Sequence, residues 1–219
     1  MDGILVVNKP EGITSHDVVE IVRKRFSIRR VGHAGTLDPM ATGVLVILLG
    51  KATKFATRFI NDDKEYIATL FLGRRTDTQD ATGRILEEKS LGDDIDIKKI
   101  RETLLLFKGP REQIPPMVSA KKYKGKRLYQ LARKEEIVER KPSRIYIHDI
   151  ELIEVNLPEI TMRVRCSKGT YIRTLCEEIG FALGYPAHMS KLIRTRSGRF
   201  SLEQSCNLDA IDEKDIEPI

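Results

Sequence analysis

Long hydrophobic runs are missing from this sequence. The longest uninterrupted apolar stretch, Val44 to Leu49, has six residues, against the roughly 20 that a helical membrane span needs. No membrane partner is therefore expected. The N-terminus carries Asp2 in place of the basic residues of a secretory leader, so we expect a soluble protein without an export signal. Cysteine is scarce. Cys166, Cys176 and Cys206 are odd in number and match no zinc-ribbon or thioredoxin spacing. That pattern speaks against a structural metal and for buried, reduced thiols in the cytoplasm. No internal repeat, low-complexity tract or sustained heptad is present, so an oligomeric scaffold is disfavoured and a monomer is expected. Side-chain amides are few as well, four Asn and four Gln against 32% charged residues, a balance met in thermophile proteins.

What the sequence does have is charge, unevenly placed. Of 219 residues, 41% are hydrophobic, enough to bury one sizeable core in a single large domain. The formal charge is +6. Residues 119 to 145 carry ten Lys or Arg against three Glu, or +7, whereas the last nineteen residues carry six acids against Lys214, or −5. A basic face this local suits a nucleic-acid footprint, although a lysine-rich solvated loop reads the same way.

Gly3 to Val7 and Val44 to Leu49 are continuous apolar runs bounded by Gly, Asn or Pro, and predict short buried strands. Between them a helix is predicted with Ser15 as N-cap, Asp17 in its first turn, and Val18, Val19, Val22 and Phe26 as its apolar stripe. Tyr66 to Leu72, Arg144 to Val155 and Ile160 to Cys166 read as further strands. Ile97 to Phe107 and Tyr171 to Leu183 have helical periodicity, the second ended by Gly184. Strands and helices do not alternate regularly, so the predicted class is α+β. From Gly109 to Pro142 the chain passes through Pro110, Pro115 and Pro116 into the basic run, with apolar periodicity only from Leu128 to Ile137. It reads as an insertion projecting from a core.

Gly32-His33-Ala34-Gly35-Thr36-Leu37-Asp38-Pro39 is the most unusual stretch. Its glycines allow close backbone approach to a ligand, and Pro39 restricts Asp38. On spacing alone it is equally a tight turn capped by Asp38. Gly32 to Gly35 also fits the GxxG loop of a KH module, a short and unspecific match. A phosphate-binding P-loop is excluded, because Gly50-Lys51 is followed by Ala52 where Ser or Thr is required.

Five segments, in order, resemble the bacterial tRNA pseudouridine-55 synthase family of the B type. They are Lys9-Pro10-Glu11-Gly12-Ile13-Thr14-Ser15; Gly32 to Gly43, ending Leu37-Asp38-Pro39-Met40-Ala41-Thr42-Gly43; and Lys64-Glu65-Tyr66 with Arg75-Thr76-Asp77-Thr78-Gln79-Asp80-Ala81-Thr82-Gly83. The fourth is Gln113 to Lys122, similar to the family's tRNA-gripping thumb, and the fifth is Ser167 to Leu175. The resemblance implies a pseudouridine-synthase fold, with a large mixed, mostly antiparallel sheet, flanking helices and a central RNA-binding cleft. It implies one catalytic domain over residues 1–219 with the thumb inserted at about 109–145. The PUA-type RNA-binding domain that follows in such relatives is expected to be absent.

The activity so implied is isomerisation of the T-loop uridine 55 of tRNA to pseudouridine, with no cofactor and no metal. Asp38 is then the nucleophile that forms the covalent adduct, and Arg173 the cation that favours its ionised form. Tyr66 and Tyr171 stack on the flipped uracil, although by periodicity alone both read as core residues. The Tyr171 phenol is a candidate for accepting the C5 proton. His33 is implied to enter the T-loop and Asp80 to orient an active-site group or the RNA. Lys9, Pro10 and Leu192 are expected to line the substrate site, and Lys121, Lys122, Lys124 and Lys126 to grip phosphates of the T-arm. A non-catalytic module that helps tRNA fold could use the same thumb, but has no reason to keep a carboxylate close to phosphates.

Overall fold

The computed structural model describes residues 1–219 except 93, 120, 124 and 129–137, and only the main chain of 122, 123, 126 and 127. The first half contains strands β1 (Gly3–Lys9), β2 (Val31–His33), β3 (Thr42–Leu49), β4 (Lys64–Leu72), β5 (Arg74–Thr76), β6 (Ile85–Glu88) and β7 (Gly109–Gln113). Helices α1 (Ser15–Arg25), α2 (Ala56–Ile60) and α3 (Ile97–Leu105) lie among them. The second half contains β8 (Lys122–Tyr123), β9 (Lys126–Arg127), β10 (Ser143–Asn156), β11 (Glu159–Cys166), α4 (Ile172–Leu183), β12 (Ala187–Ser197), β13 (Phe200–Ser201), β14 (Cys206–Asn207) and β15 (Ile216–Glu217). Eleven strands form a mixed sheet in the order β14-β1-β3-β12-β4-β11-β10-β7, with β2, β13 and β15 beside β3, β12 and β1. Among the described residues no helix is long and apolar enough to cross a membrane.

The chain divides into two compact units, Met1–Ile67 with Leu192–Ile219, and Ala68–Lys191. In the first, β1 and β3 pair antiparallel from Gly3↔Leu49 to Lys9↔Gly43. Both are apolar at nearly every position because both faces are covered. On one face Ile4, Val6, Val44, Val46 and Leu48 pack with Ala34, Ala52 and Phe200. Helix α1 buries Val18, Val19 and Val22, but its N-cap is Thr14 and not Ser15. Thr14 has the extended backbone of a cap and exchanges side-chain bonds with Asp17 in a capping box. The Ser15 hydroxyl is thereby left for another task.

In the second unit β11 buries Ile160, Met162, Val164 and Cys166 at alternate positions, the pattern of a half-covered strand. β10 pairs antiparallel with β11 and with β7, from Ile147↔Gly109 to Ser143↔Gln113. Gly109–Gln113 and Ser143–Ile145, counted in the insertion on sequence grounds, are thus sheet residues. β7 stands last in the sheet order, and an edge strand tolerates Pro110. Of the periodic stretch Leu128 to Ile137, residues 129–137 lie outside the described residues. Gly184 closes α4 at φ 92°, the left-handed cap predicted for it.

Candidate active site

Asp38 lies in the loop between β2 and β3. The Ala34 N–H donates to the Val46 carbonyl (2.8 Å), and Gly35 then turns the chain at φ +95°, a value L side chains rarely adopt. From there the main chain is held residue by residue. The buried Ser15 Oγ accepts from the Leu37 N–H (2.8 Å) and donates to the Leu37 carbonyl (3.0 Å). The Pro39 carbonyl accepts the Gly12 N–H (2.9 Å) and the Lys9 ammonium (3.1 Å), and the Asp38 carbonyl accepts the Ala41 N–H (3.0 Å). Arg194, 1% exposed, donates to the carbonyls of Gly35 (3.1 Å), Thr36 (3.5 Å) and Val44 (2.7 Å). Gly43 pairs with Arg194 in the parallel register of β3 and β12, and a Cβ there would come within 2.3 Å of the Arg194 carbonyl oxygen. The Asp38 side chain is half-buried.

Lys9 is fully buried, and its ammonium also donates to the carbonyls of Pro10 (2.8 Å) and Ile13 (2.8 Å). With its charge taken up by main-chain oxygens, it ties the first motif to the Asp38 loop. Burial pulls the Lys9 pKa down from 10.5 to about 8, with Arg194 adding to the shift and the charges of Asp38 and Glu11 opposing it. A proton released near pH 8 weakens three charge-assisted hydrogen bonds and removes a cation that Asp38 feels. A reaction that depends on the Asp38 loop is therefore expected to slow roughly three- to tenfold above pH 8, a change worth ~1 kcal/mol. Lys9→Met should lack that midpoint, and a wild-type profile flat to pH 9.5 would remove Lys9 from the account. Stability has the opposite sign. The folded state gives up this proton at lower pH than the unfolded chain, so the Lys9 contribution to stability rises between about pH 8 and pH 10.5.

The remaining residues expected in this unit are placed by their elements. His33 is half-buried at the end of β2, Tyr66 is buried on β4, Leu192 is buried on β12, and Pro10 is exposed after β1.

The second unit gathers Arg173, Asp80 and Tyr171. Arg173, at the start of α4, is 4% exposed and donates to the carbonyls of Thr78 (3.0 Å) and Val118 (2.7 Å). Its guanidinium faces the Asp80 carboxylate at 3.6 Å. The other Asp80 oxygen accepts the hydroxyls of Thr78 (2.7 Å) and Thr82 (2.6 Å) and the Thr82 N–H (3.0 Å). A buried carboxylate so satisfied is a rigid partner for a buried cation. Gln79, at φ 63°, is held by side-chain bonds to Thr174 and Glu177. Burial pushes the Glu177 carboxyl pKa up, and the Gln79 bond partly offsets this. Tyr171, half-buried, precedes α4, and its N–H (2.8 Å) and carbonyl (3.1 Å) both bond the buried Gln113 amide.

In the inserted segment Lys121 is exposed and donates to the Ser143 hydroxyl (2.6 Å). Lys122 and Lys126 lie on the β8–β9 hairpin, and Lys124 lies outside the described residues. Six further basic residues of the first unit, Lys24, Arg25, Arg29, Arg30, Lys54 and Arg58, are exposed, and none of the six takes part in a described ion pair. Ser15, Gln113 and Arg194 were missed in the sequence. Each acts through long-range bonds to main chain, and the one available signal was that Ser15 and Gln113 sit inside recognised motifs.

Comparison with known proteins gives this geometry its class. Residues 23–172 match the TruB family pseudouridylate synthase N-terminal domain, which sets the chain among the pseudouridylate synthases. Residues 173–216 match the tRNA pseudouridylate synthase B C-terminal domain. The chain belongs to the TruB family. A tRNA pseudouridine synthase B of Clostridium tetani is 50% identical over 99% of this chain and 75% of its own length. That of Caldanaerobacter subterraneus is 46% identical over 100% and 78%. Among solved structures, a chain of a Cbf5-Nop10-Gar1 complex superposes with a TM-score of 0.77 at 33% identity, covering 99% of this chain and 60% of that one. A chain of an H/ACA RNP bound to a substrate RNA gives 0.72 at 31% identity, covering 99% and 59%. The mixed sheet with its flanking helices is the pseudouridine-synthase fold.

Proposed function

We propose that this protein is a tRNA pseudouridine synthase that isomerises the T-loop uridine, with Asp38 as its nucleophile. The observation that carries the reading is one acidic side chain on a main chain pinned at Gly35, Thr36, Leu37, Asp38 and Pro39 by groups from the first motif, β12 and the loop itself. Such preorganisation suits a covalent step, in which the reacting group must be held in place. Asp38 forms a covalent adduct with the nucleotide, the N1–C1′ bond breaks, the uracil turns, a C5–C1′ bond forms, and the bond to Asp38 breaks to return the free carboxylate. C5 loses a proton and N1 gains one, so atoms and electrons balance within the nucleotide. Arg173, oriented by Asp80, supplies the positive charge that favours ionised Asp38. Tyr66 and Tyr171 stack on the flipped base, the Tyr171 phenol accepts the C5 proton, and His33 takes the place the base leaves in the T-loop. Lys9 holds the Asp38 loop, and Pro10 and Leu192 line the pocket. The enzyme works as a cytoplasmic monomer, with the inserted segment as its thumb.

Incubation with an unmodified tRNA transcript, followed by pseudouridine mapping, tests this directly. One modified position in the T-loop is expected, and a T-arm stem-loop alone should suffice as substrate. Product at other uridines would reject the T-loop assignment.

Phosphates outside the pocket set affinity and register without reading the reacting base. Each one neutralised lowers the slope of log affinity against log salt by about 0.7 to 0.9. Replacing Lys121, Lys122, Lys124 and Lys126 together with Gln is expected to shrink that slope by about two to three units. The single-turnover rate at saturating tRNA should change far less. An unaltered slope would move the phosphate grip to Arg29, Arg30, Lys54 and Arg58.

A further inference from the structure

Ser15 has no place in the chemistry above, and as a residue one position inside a helix it has no capping duty, since Thr14 caps α1. Yet it is 2% exposed, and its single oxygen both accepts from and donates to Leu37, the residue before the nucleophile. Leu37 is itself buried, so both of its main-chain groups depend on partners within the protein. The two bonds tie the start of α1 to a position 22 residues away in sequence.

We propose that Ser15 is a positioning residue for the isomerisation, fixing the peptide planes on either side of Leu37 and so the direction in which Asp38 leaves the main chain. The inference rests on the assignment of Asp38 as nucleophile. A side chain displaced by an ångström at a reacting centre costs about 100-fold in rate, whereas RNA phosphates are held elsewhere on the surface. Ser15 therefore governs the chemical step and not tRNA binding.

The test is a comparison of four variants on unmodified tRNA transcript, with kcat, KM and thermal midpoint measured for each. Ser15→Ala is expected to lower kcat about 10- to 100-fold with KM within about threefold. Ser15→Thr, which keeps the oxygen, should recover most of the loss. Val19→Ala, a cavity one turn further along the same helix, serves as the stability control and should keep kcat at a matched loss of midpoint. Asp38→Asn is the fourth. Wild-type kcat in Ser15→Ala overturns the inference, as does an equal fall in kcat for Val19→Ala. Turnover by Asp38→Asn would instead overturn the assignment of the nucleophile, so the two failures are distinguishable. Should Ser15→Ala not fold, Ser15→Cys takes its place, its longer and weaker sulfur contact being read by the same criteria.

Discussion

Asparagine at position 38 is expected to abolish pseudouridine formation while leaving tRNA affinity within a few-fold of wild type. The substitution keeps the size and planarity of the side chain and removes only the charge and the nucleophilic oxygen. The loop itself should persist, because main-chain groups of Gly35, Thr36, Leu37, Asp38 and Pro39 are held by partners that the substitution leaves in place. A lost rate can then be read as lost chemistry and not as a misplaced loop. Removing an anion that faces RNA should, if anything, tighten binding slightly. Pseudouridine mapping under single-turnover conditions, with filter binding alongside, separates the two quantities. Turnover above about a hundredth of wild type would remove Asp38 from the nucleophile's role.

Where local physics decided the structure, the sequence showed it plainly. Continuous apolar runs at β1 and β3 and the one-sided alternation of β11 follow from which faces are covered, and the end of α4 at Gly184 follows from backbone sterics. Where distant parts of the chain decided it, the pattern failed. β12 carries His188, Arg194 and Ser197 at buried positions, so its alternation is broken by polar residues whose partners lie far away in sequence. The Arg194 guanidinium meets the Val44 carbonyl across 150 residues. β7 was hidden by Pro110, which no central strand accepts but an edge strand does. The candidate site shows the same division. Asp38, Tyr66, Tyr171 and Arg173 were drawn from the motifs that contain them. The roles of Ser15, Lys9 and Gln113 could not be, since each depends on which carbonyl or N–H the fold brings to its side chain.

Arg173→Met should cost stability and activity together, and the reasons for the two losses differ. The stability loss follows from burial. Arg173 is 4% and Asp80 6% exposed, and breaking such a pair leaves a buried carboxylate without its cation, at about 3–5 kcal/mol. The three hydrogen bonds that Asp80 accepts from Thr78 and Thr82 remain and should hold the loss to the lower part of that range. The carbonyls of Thr78 and Val118 lose their donor as well. Urea unfolding with an unchanged m-value measures the sum. Activity falls for a reason that stability cannot supply, because the cation assigned to Asp38 is gone, and a loss of at least about 100-fold near pH 7 is expected. Arg173→Lys tells the two apart. A single ammonium restores charge but cannot reach two carbonyls and a carboxylate with the geometry of a guanidinium, so rate should return further than stability. Introducing Arg173→Met into Asp80→Asn should cost about 0.5–3 kcal/mol less than in the wild type, the coupling expected of a direct pair. Additive losses in that cycle would mean that Asp80 and Arg173 act independently, and unchanged turnover in Arg173→Met would mean that Asp38 takes its positive charge from elsewhere, with Lys9 and Arg194 next in line.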